Sequence, residues 1–168
     1  MCALKLSTGL RNKLLHGTGG YGTGGLKELF ADGVLDIYSG VGPANADALE
    51  TGAQLVRISV ASGLAGSGGT GGGTSGTGVG ANGLDFGTAA NGTLPKNADV
   101  WSGSGTANGE AGWYRFYDTR VCQGANGTAV RMDGVCAVSG GDLNMSDLTV
   151  ATGATITVDS FSITLPAY

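Results

Sequence analysis

The sequence predicts a mainly β protein, an antiparallel β-sandwich or jelly roll with short N-terminal helices and a long glycine-rich loop. Three observations support this fold class. Short segments of alternating apolar and polar residues recur along the chain, glycine and asparagine turns separate them, and helical periodicity occurs only near the start. The 34 glycines exceed the average of about 7% of residues but follow no Gly-X-Y period, which assigns them to turns and loops.

Residues 1–33 are predicted to form an N-terminal helical arm, and residues 34–168 the β-sandwich domain. Ser7 or Thr8 can cap a first helix that carries leucines at i, i+4 spacing, and a second short helix is expected over residues 26–31. These amphipathic helices allow two interpretations. They either dock onto a neighbouring subunit or cover one end of the sheet.

The first two strands are predicted over residues 34–39 and 54–60. In the first of them, Leu35 and Ile37 share one face and Asp36 lies on the other. The second strand alternates in the same way. Such alternation is typical of an antiparallel sheet that has one face in the core and one face in water.

The glycine-rich loop is predicted over residues 61–83, where Gly, Ser and Thr predominate. Side chains this small bury too little area to offset the ordering entropy of the segment. We therefore expect either a disordered insertion or a contact loop that becomes ordered only under a neighbouring subunit. The loop has no Gly-Lys-Ser/Thr motif, which argues against phosphate binding.

The central strand is predicted from the sequence Gly-Trp-Tyr-Arg-Phe-Tyr-Asp over residues 112–118, because aromatic residues favour a pleated, half-buried surface. Alternation places Tyr114 and Phe116 on one face, and we expect both side chains in the core. The other face carries Trp113, Arg115 and Tyr117.

A hairpin is predicted after this strand, because Asn126-Gly127 is a strong signal for a two-residue turn. The return strand would lie within residues 128–139. With such a turn, Cys136 would pair with Tyr117.

The last strand is predicted over residues 155–165, where the apolar positions change phase. Val158 belongs to an even-numbered apolar series, whereas Phe161 and Ile163 belong to an odd-numbered one. The change predicts a β-bulge near residues 159–160, and we expect Phe161 and Ile163 in the core.

Side chains that could carry catalysis or bind a metal are few. His16 is the only histidine, and it lies at the end of the first predicted helix. Asp142, Asn144 and Ser146 alternate as in a calcium loop, but the distal glutamate and central glycine of an EF-hand are missing. We therefore expect no enzymatic activity, no catalytic residue, no cofactor and no metal.

Charge and hydropathy bear on the kind of partner. The formal net charge is −4, so the chain lacks the basic field that binding to a nucleic-acid backbone requires. The N-terminus has no apolar signal segment, and no stretch reaches the roughly 18 apolar residues of a membrane helix. We expect synthesis in the cytoplasm, with no direct contact with nucleic acid or membrane.

The three cysteines, Cys2, Cys122 and Cys136, form an odd set without metal-binding spacing. Three outcomes are open. Interchain cross-links could form in the assembled state, with Cys2 favoured because it lies near the chain end. Alternatively, all three thiols stay reduced and partly buried, or Cys122 pairs with Cys136.

Leucine-rich helix starts, the aromatic strand and a Thr/Ser-rich end lie in separate segments of this chain. They cover residues 4–15, 26–40, 112–118, 130–134, 142–145 and 156–167. Together these segments resemble small structural proteins in the virions of tailed bacteriophages, and the resemblance spans nearly the whole chain. It implies a non-enzymatic virion component with a β-sandwich body, present in many copies.

Within a virion, we expect a capsid decoration or cement protein that stabilises the head lattice. Its partners would be the major capsid protein or other virion proteins, and the chain itself would form a homo-oligomer after synthesis in the host bacterium. A neck, collar or tail component is an alternative. A second alternative is a carbohydrate- or receptor-binding module in which Trp101, Trp113 and Tyr117 provide stacking surfaces.

Overall fold

The protein is mainly β in the computed structural model, as the alternating segments predict. The structure describes residues 4–16, 25–63 and 82–165. Most of the glycine-rich loop predicted over residues 61–83 lies outside the described residues.

The described chain contains two short helices and a series of strands. In chain order these are β1 (Lys5–Leu6), α1 (Thr8–His16), α2 (Leu26–Leu29), β2 (Val34–Ser39), β3 (Gln54–Val60), β4 (Thr93–Pro95), β5 (Trp101–Ser104), β6 (Gly109–Tyr117), β7 (Arg131–Ala137), β8 (Leu143–Asn144), β9 (Thr149–Val150), β10 (Thr155–Val158) and β11 (Ser162–Thr164).

One large sheet holds most of the described strands, in the order β1-β7-β6-β2-β3-β5-β10. Neighbours along this path are antiparallel. Strand β8 adds to β7 in parallel, and β9 adds to β6. Strands β4 and β11 form a separate two-stranded sheet. The arrangement is consistent with a β-sandwich.

The main core contains residues from both sheets and from the helices. Phe116 of β6 lies among other aromatic rings, with centroid distances of 5.1 Å to Phe30, 5.4 Å to Phe86 and 6.1 Å to Phe161. Such pairs add roughly 0.5–1.5 kcal/mol each beyond the area that they bury. The residues expected in the core are all buried in this cluster: Tyr114, Phe116, Phe161 and Ile163.

One β-bulge lies on each side of β2, in the two strands that pair with it. Leu55 is the extra residue opposite β2 in β3, and Gly112 is the extra residue in β6. The first bulge brings Leu55 and the adjacent Val56 into the same core. At Gly112, an added Cβ would collide with the carbonyl oxygen of Gly40, so the close approach of β6 to the chain just after β2 requires glycine.

The predicted N-terminal arm packs onto the large sheet wherever the structure describes it. Strand β1 pairs with β7 through Leu6 and Met132, and the side chains of Leu10 and Phe30 are fully buried in the main core. The Ser7 hydroxyl accepts a hydrogen bond from the backbone N–H of Leu10 at 3.1 Å and thereby caps α1. These contacts favour the interpretation that the helices cover the sheet.

The predicted two-residue hairpin at Asn126-Gly127 is wrong. Strands β6 and β7 pair with Tyr117 opposite Arg131, so residues 118–130 form a wide loop. Inside this loop the Asn126 side chain accepts a hydrogen bond from the backbone N–H of Thr128 at 2.8 Å. The asparagine therefore stabilises a local turn within the loop, and the strands pair further back along the chain.

The predicted bulge near residues 159–160 is also wrong. Strand β10 ends at Val158 and pairs with β5, whereas β11 begins at Ser162 and pairs with β4. The change of phase therefore marks the passage of the chain from the large sheet to the small one.

Candidate functional site

The centre of the second face of the large sheet is buried, which corrects the expectation that this face meets water. Asp36 and Arg115 are fully buried, and Asp133 is 2% exposed. The loop of residues 40–53 contacts Arg115, and the loop of residues 118–130 contacts Arg131 on the same face. A pattern of polar residues at outward positions does not reveal whether loops cover them.

Charges of alternating sign cross this face in a single row. The register aligns Arg57 of β3, Asp36 of β2, Arg115 of β6 and Asp133 of β7. Arg57 binds Asp36 with two hydrogen bonds of 2.7 Å, and Arg115 binds Asp133 in the same two-pronged way, again at 2.7 Å. Paired bonds of this kind are stronger and more directional than single ones. We call this row the charge ladder.

Glu50 connects the charge ladder to both covering loops. Its Oε1 accepts hydrogen bonds from Arg115 and from the Tyr117 hydroxyl, each at 2.8 Å. Its Oε2 accepts a hydrogen bond from the backbone N–H of Gly124 at 2.9 Å. Glu50 thus attaches the loop of residues 40–53 to strand β6 and to the following loop.

Arg131 holds the wide loop after β6. Its guanidinium donates hydrogen bonds to the backbone carbonyls of Gly124 at 2.6 Å, Asn126 at 2.7 Å and Cys122 at 3.2 Å. One Arg131 nitrogen also lies 3.7 Å from Glu50. The Arg131 Nε is buried without a hydrogen-bond partner, so this arginine is bound chiefly through its terminal nitrogens.

Aromatic side chains complete the second face. Tyr38 and Trp113 stack with their centroids 4.5 Å apart, and the Arg115 guanidinium lies 5.4 Å from the Trp113 ring. The indole N–H of Trp113 donates to the Thr51 carbonyl at 3.2 Å. The hydroxyl oxygens of Tyr38 and Tyr117 are 3.1 Å apart. The bond from Trp113 to Thr51 is a second attachment of the loop of residues 40–53, in addition to Glu50.

Protonation in this cluster follows from burial and from hydrogen bonding. Burial raises the pKa of Asp36, and the hydrogen bonds and charge of Arg57 offset part of that rise. Burial acts on Glu50 in the same direction, but hydrogen bonds from backbone N–H groups and from Tyr117, together with the Arg115 charge, lower its pKa below the usual value. Burial raises the pKa values of Tyr38 and Tyr117, so both phenols stay protonated and able to donate.

The cluster is suited to fixing loops. Arg57, Arg115 and Arg131 face Asp36, Glu50 and Asp133, so the formal charges cancel. The carboxylate of Glu50 and the guanidinium of Arg115 already bind protein groups on several sides. Buried pairs of this kind add little net stability, since the cost of removing both charges from water offsets much of their attraction.

Two apolar side chains protrude from the fixed loop of residues 40–53. Val41 is 87% exposed and Leu49 is 63% exposed. The Thr51 hydroxyl donates to the Val41 carbonyl at 2.6 Å, which ties the two ends of this loop together. We call Val41 and Leu49 the exposed apolar pair.

The cysteines are placed differently from the predicted hairpin. Cys136 lies opposite Leu143 of β8, and Cys122 lies in the wide loop. Both are buried thiols, and no disulfide joins them. Burial, with the charge of Asp142, raises the pKa of the Cys136 thiol to about 12, so it is unreactive in the folded chain. Burial disfavours interchain cross-linking through Cys122 and Cys136. Cys2 lies outside the described residues, so an interchain cross-link through Cys2 stays a prediction.

The three aromatic residues considered as stacking surfaces for sugars are not accessible. Trp101, Trp113 and Tyr117 are each at most 1% exposed. Trp101 packs in the main core, and the other two lie in the cluster under the loops. The His16 side chain lies outside the described part of the chain.

Glu50 and Arg131 had no assigned role in the sequence. The available signal was a charged residue at an outward position in the middle of each strand, as at Asp36 and Arg115. Strand order and register were needed to convert that signal into pairs. Neither is encoded in any one segment.

Over the described residues, no helix combines the length and the apolar character needed to cross a membrane. Comparison with protein-family models, with curated proteins and with solved structures gives no match for this chain.

Proposed function

We propose that this chain is a non-enzymatic structural protein of a tailed-bacteriophage virion that decorates and stabilises the head lattice. The sequence resemblance to small virion proteins supports the class of protein. The structural support for docking on a partner comes from the loop of residues 40–53. Glu50 and Trp113 fix this loop in place, and the exposed apolar pair faces outward from it.

A fixed loop suits repeated docking. Its conformation is already set before a partner arrives, so binding does not have to order it. An exposed apolar side chain gains roughly 1.5–3 kcal/mol when a partner buries it fully. The partner in this proposal is the major capsid protein, presented many times on the shell.

Binding to phage heads that lack this chain tests the proposal. We expect saturable co-sedimentation of the purified protein with such heads. Leu49→Asp should weaken binding by about tenfold or more, since a buried apolar contact would become a buried charge. Val100→Asp is the matched control, because Val100 is 62% exposed but lies outside the fixed loop.

Two results would count against this function. Equal binding by Leu49→Asp and by the control would remove the exposed apolar pair from the interface. Binding to purified tails or necks in place of heads would favour the alternative location in the particle.

A further inference from the structure

A cavity of about 600 Å³ opens away from the charge ladder, on the side of the sheet that holds the main core. Its lining includes Tyr114, Asp142, Asn144, Asp159, Phe161 and Lys96. These residues come from β6, from the segments around β4 and β8, and from the passage between β10 and β11. The cavity is a separate site from the fixed loop.

Tyr114 places its hydroxyl at this cavity. The residue is 1% exposed, and its hydroxyl oxygen lies 2.5 Å from the position that a Cβ would occupy at Gly134. None of the hydrogen bonds among the described residues uses this hydroxyl. The hydroxyl oxygen is not one of the buried side-chain atoms that lack a hydrogen-bond partner. It therefore faces the open cavity, where a ligand group can reach it.

The Tyr114 hydroxyl is a neutral group. Burial raises its pKa well above the usual value, and the charge of Asp142 adds to the rise. Asp142 and Tyr114 both line the cavity. The phenol oxygen can therefore accept a hydrogen bond from a cationic group that Asp142 attracts.

Carboxylates outnumber ammonium groups on the cavity wall, and the charged side chains differ in how many hydrogen bonds they already make. Lys96 donates to the carbonyls of Asn97 and Asp99, at 3.0 and 2.8 Å, and its ammonium lies 5.5 Å from the Trp101 ring. Asp142 uses one oxygen to accept the backbone N–H of Val135 at 2.9 Å. The second wall carboxylate, Asp159, is exposed. Two carboxylates and one ammonium leave a net negative wall.

We propose that this cavity binds the guanidinium of an arginine side chain from a neighbouring virion protein. A guanidinium has five donors and no acceptor, which matches two carboxylates and a phenol oxygen. The identity of the neighbour rests on the proposed function, whereas the chemistry of the bound group rests on the cavity alone.

Nuclear magnetic resonance titration of the purified protein with acetyl-Gly-Arg-Gly-amide tests the site. We expect saturable shifts at the backbone amides of Asn144 and Ser162. The same peptide with citrulline in place of arginine keeps the shape but lacks the charge, and it should bind about tenfold more weakly.

Three variants sharpen the test. Tyr114→Phe removes only the hydroxyl, and Asp159→Asn removes only a charge, so each should weaken arginine-peptide binding by about tenfold while the protein stays folded. Asp147→Asn is the control, because Asp147 is exposed and does not line the cavity. Its affinity should be unchanged.

Absence of binding, equal binding of the citrulline peptide, or equal affinity of all three variants would each overturn the site. Failure here with the protein still present on phage heads would leave the proposed function intact. If the peptide binds as expected but the protein is absent from particles, the arginine site is supported. The proposal that the arginine belongs to a virion protein is then overturned.

Discussion

At the residue scale, the charge ladder explains how polar residues come to lie in the interior of this protein. Asp36 has Arg57 and Arg115 as cross-strand neighbours, so each buried carboxylate meets an arginine in the adjacent strand. Leaving a buried charge without its partner costs far more than the pair contributes. The ladder therefore acts as a constraint on strand register, because a shift by one residue would separate every pair.

Replacing Arg115 by methionine should destabilise the folded chain by roughly 3–5 kcal/mol, because Asp133 and Glu50 would lose a buried partner. The free energy of unfolding from urea titration measures this. Arg11→Met is the matched control, since Arg11 is exposed and its change should stay within about 0.5 kcal/mol. Adding Asp133→Leu to Arg115→Met should restore part of the loss. Equal urea midpoints for the two single variants would contradict the structural role of the ladder.

Glu50 should make stability depend on pH in the acid range. Its folded pKa is below the usual value of 4.5, so the unfolded chain takes up the proton first as the pH falls. The stabilisation by ionised Glu50 is complete above the unfolded pKa and is lost as the pH falls through the folded pKa. Glu50→Gln should therefore destabilise the protein strongly at about pH 7 and much less at a pH below the folded pKa of Glu50. The same difference in unfolding free energy at both pH values would show that the carboxylate charge is not what holds the loops.

At the element scale, α1 belongs to the packed body, since Leu10 is fully buried in the main core and Ser7 joins the helix to β7. The Ser7 hydroxyl also donates to the Ala129 carbonyl at 2.7 Å. A helix of nine residues is marginal alone, so its stability comes from this packing.

Leu10→Ala should destabilise the protein by about 2–5 kcal/mol, the usual cost of truncating a buried leucine. Leu14→Ala on the same helix is the control, because Leu14 is 41% exposed and should cost less than about 1 kcal/mol. Thermal or urea unfolding of both variants gives the comparison. Two equally small effects would mean that the helix is an independent arm.

The sequence was informative wherever a local pattern decides the structure. Strands β2 and β3 begin and end at the predicted residues, because alternation is a property of each strand by itself. The β6–β7 register was not predictable, because Arg131 and the Asn126 turn stabilise a wide loop that the Asn-Gly signal does not reveal. The buried second face was missed for a similar reason, since covering by a loop depends on distant residues such as Glu50.

At the scale of the whole molecule, the charged interior and the surface have separate roles. The ladder and its neighbours are neutral together, so the formal charge of −4 resides on the rest of the chain. The fixed loop offers the exposed apolar pair, and the cavity by Tyr114 offers a negative wall. In the proposed function, preformed contact points would let the protein bind many equivalent positions on a shell with little loss of conformational entropy.

The most direct measurement is the location and abundance of this chain in purified phage particles, by quantitative mass spectrometry of separated heads and tails. The proposed function predicts that the chain fractionates with heads, at an abundance comparable to that of the major capsid protein. Its absence from intact particles would contradict a virion role altogether. A few copies per particle, confined to the tail fraction, would contradict head decoration.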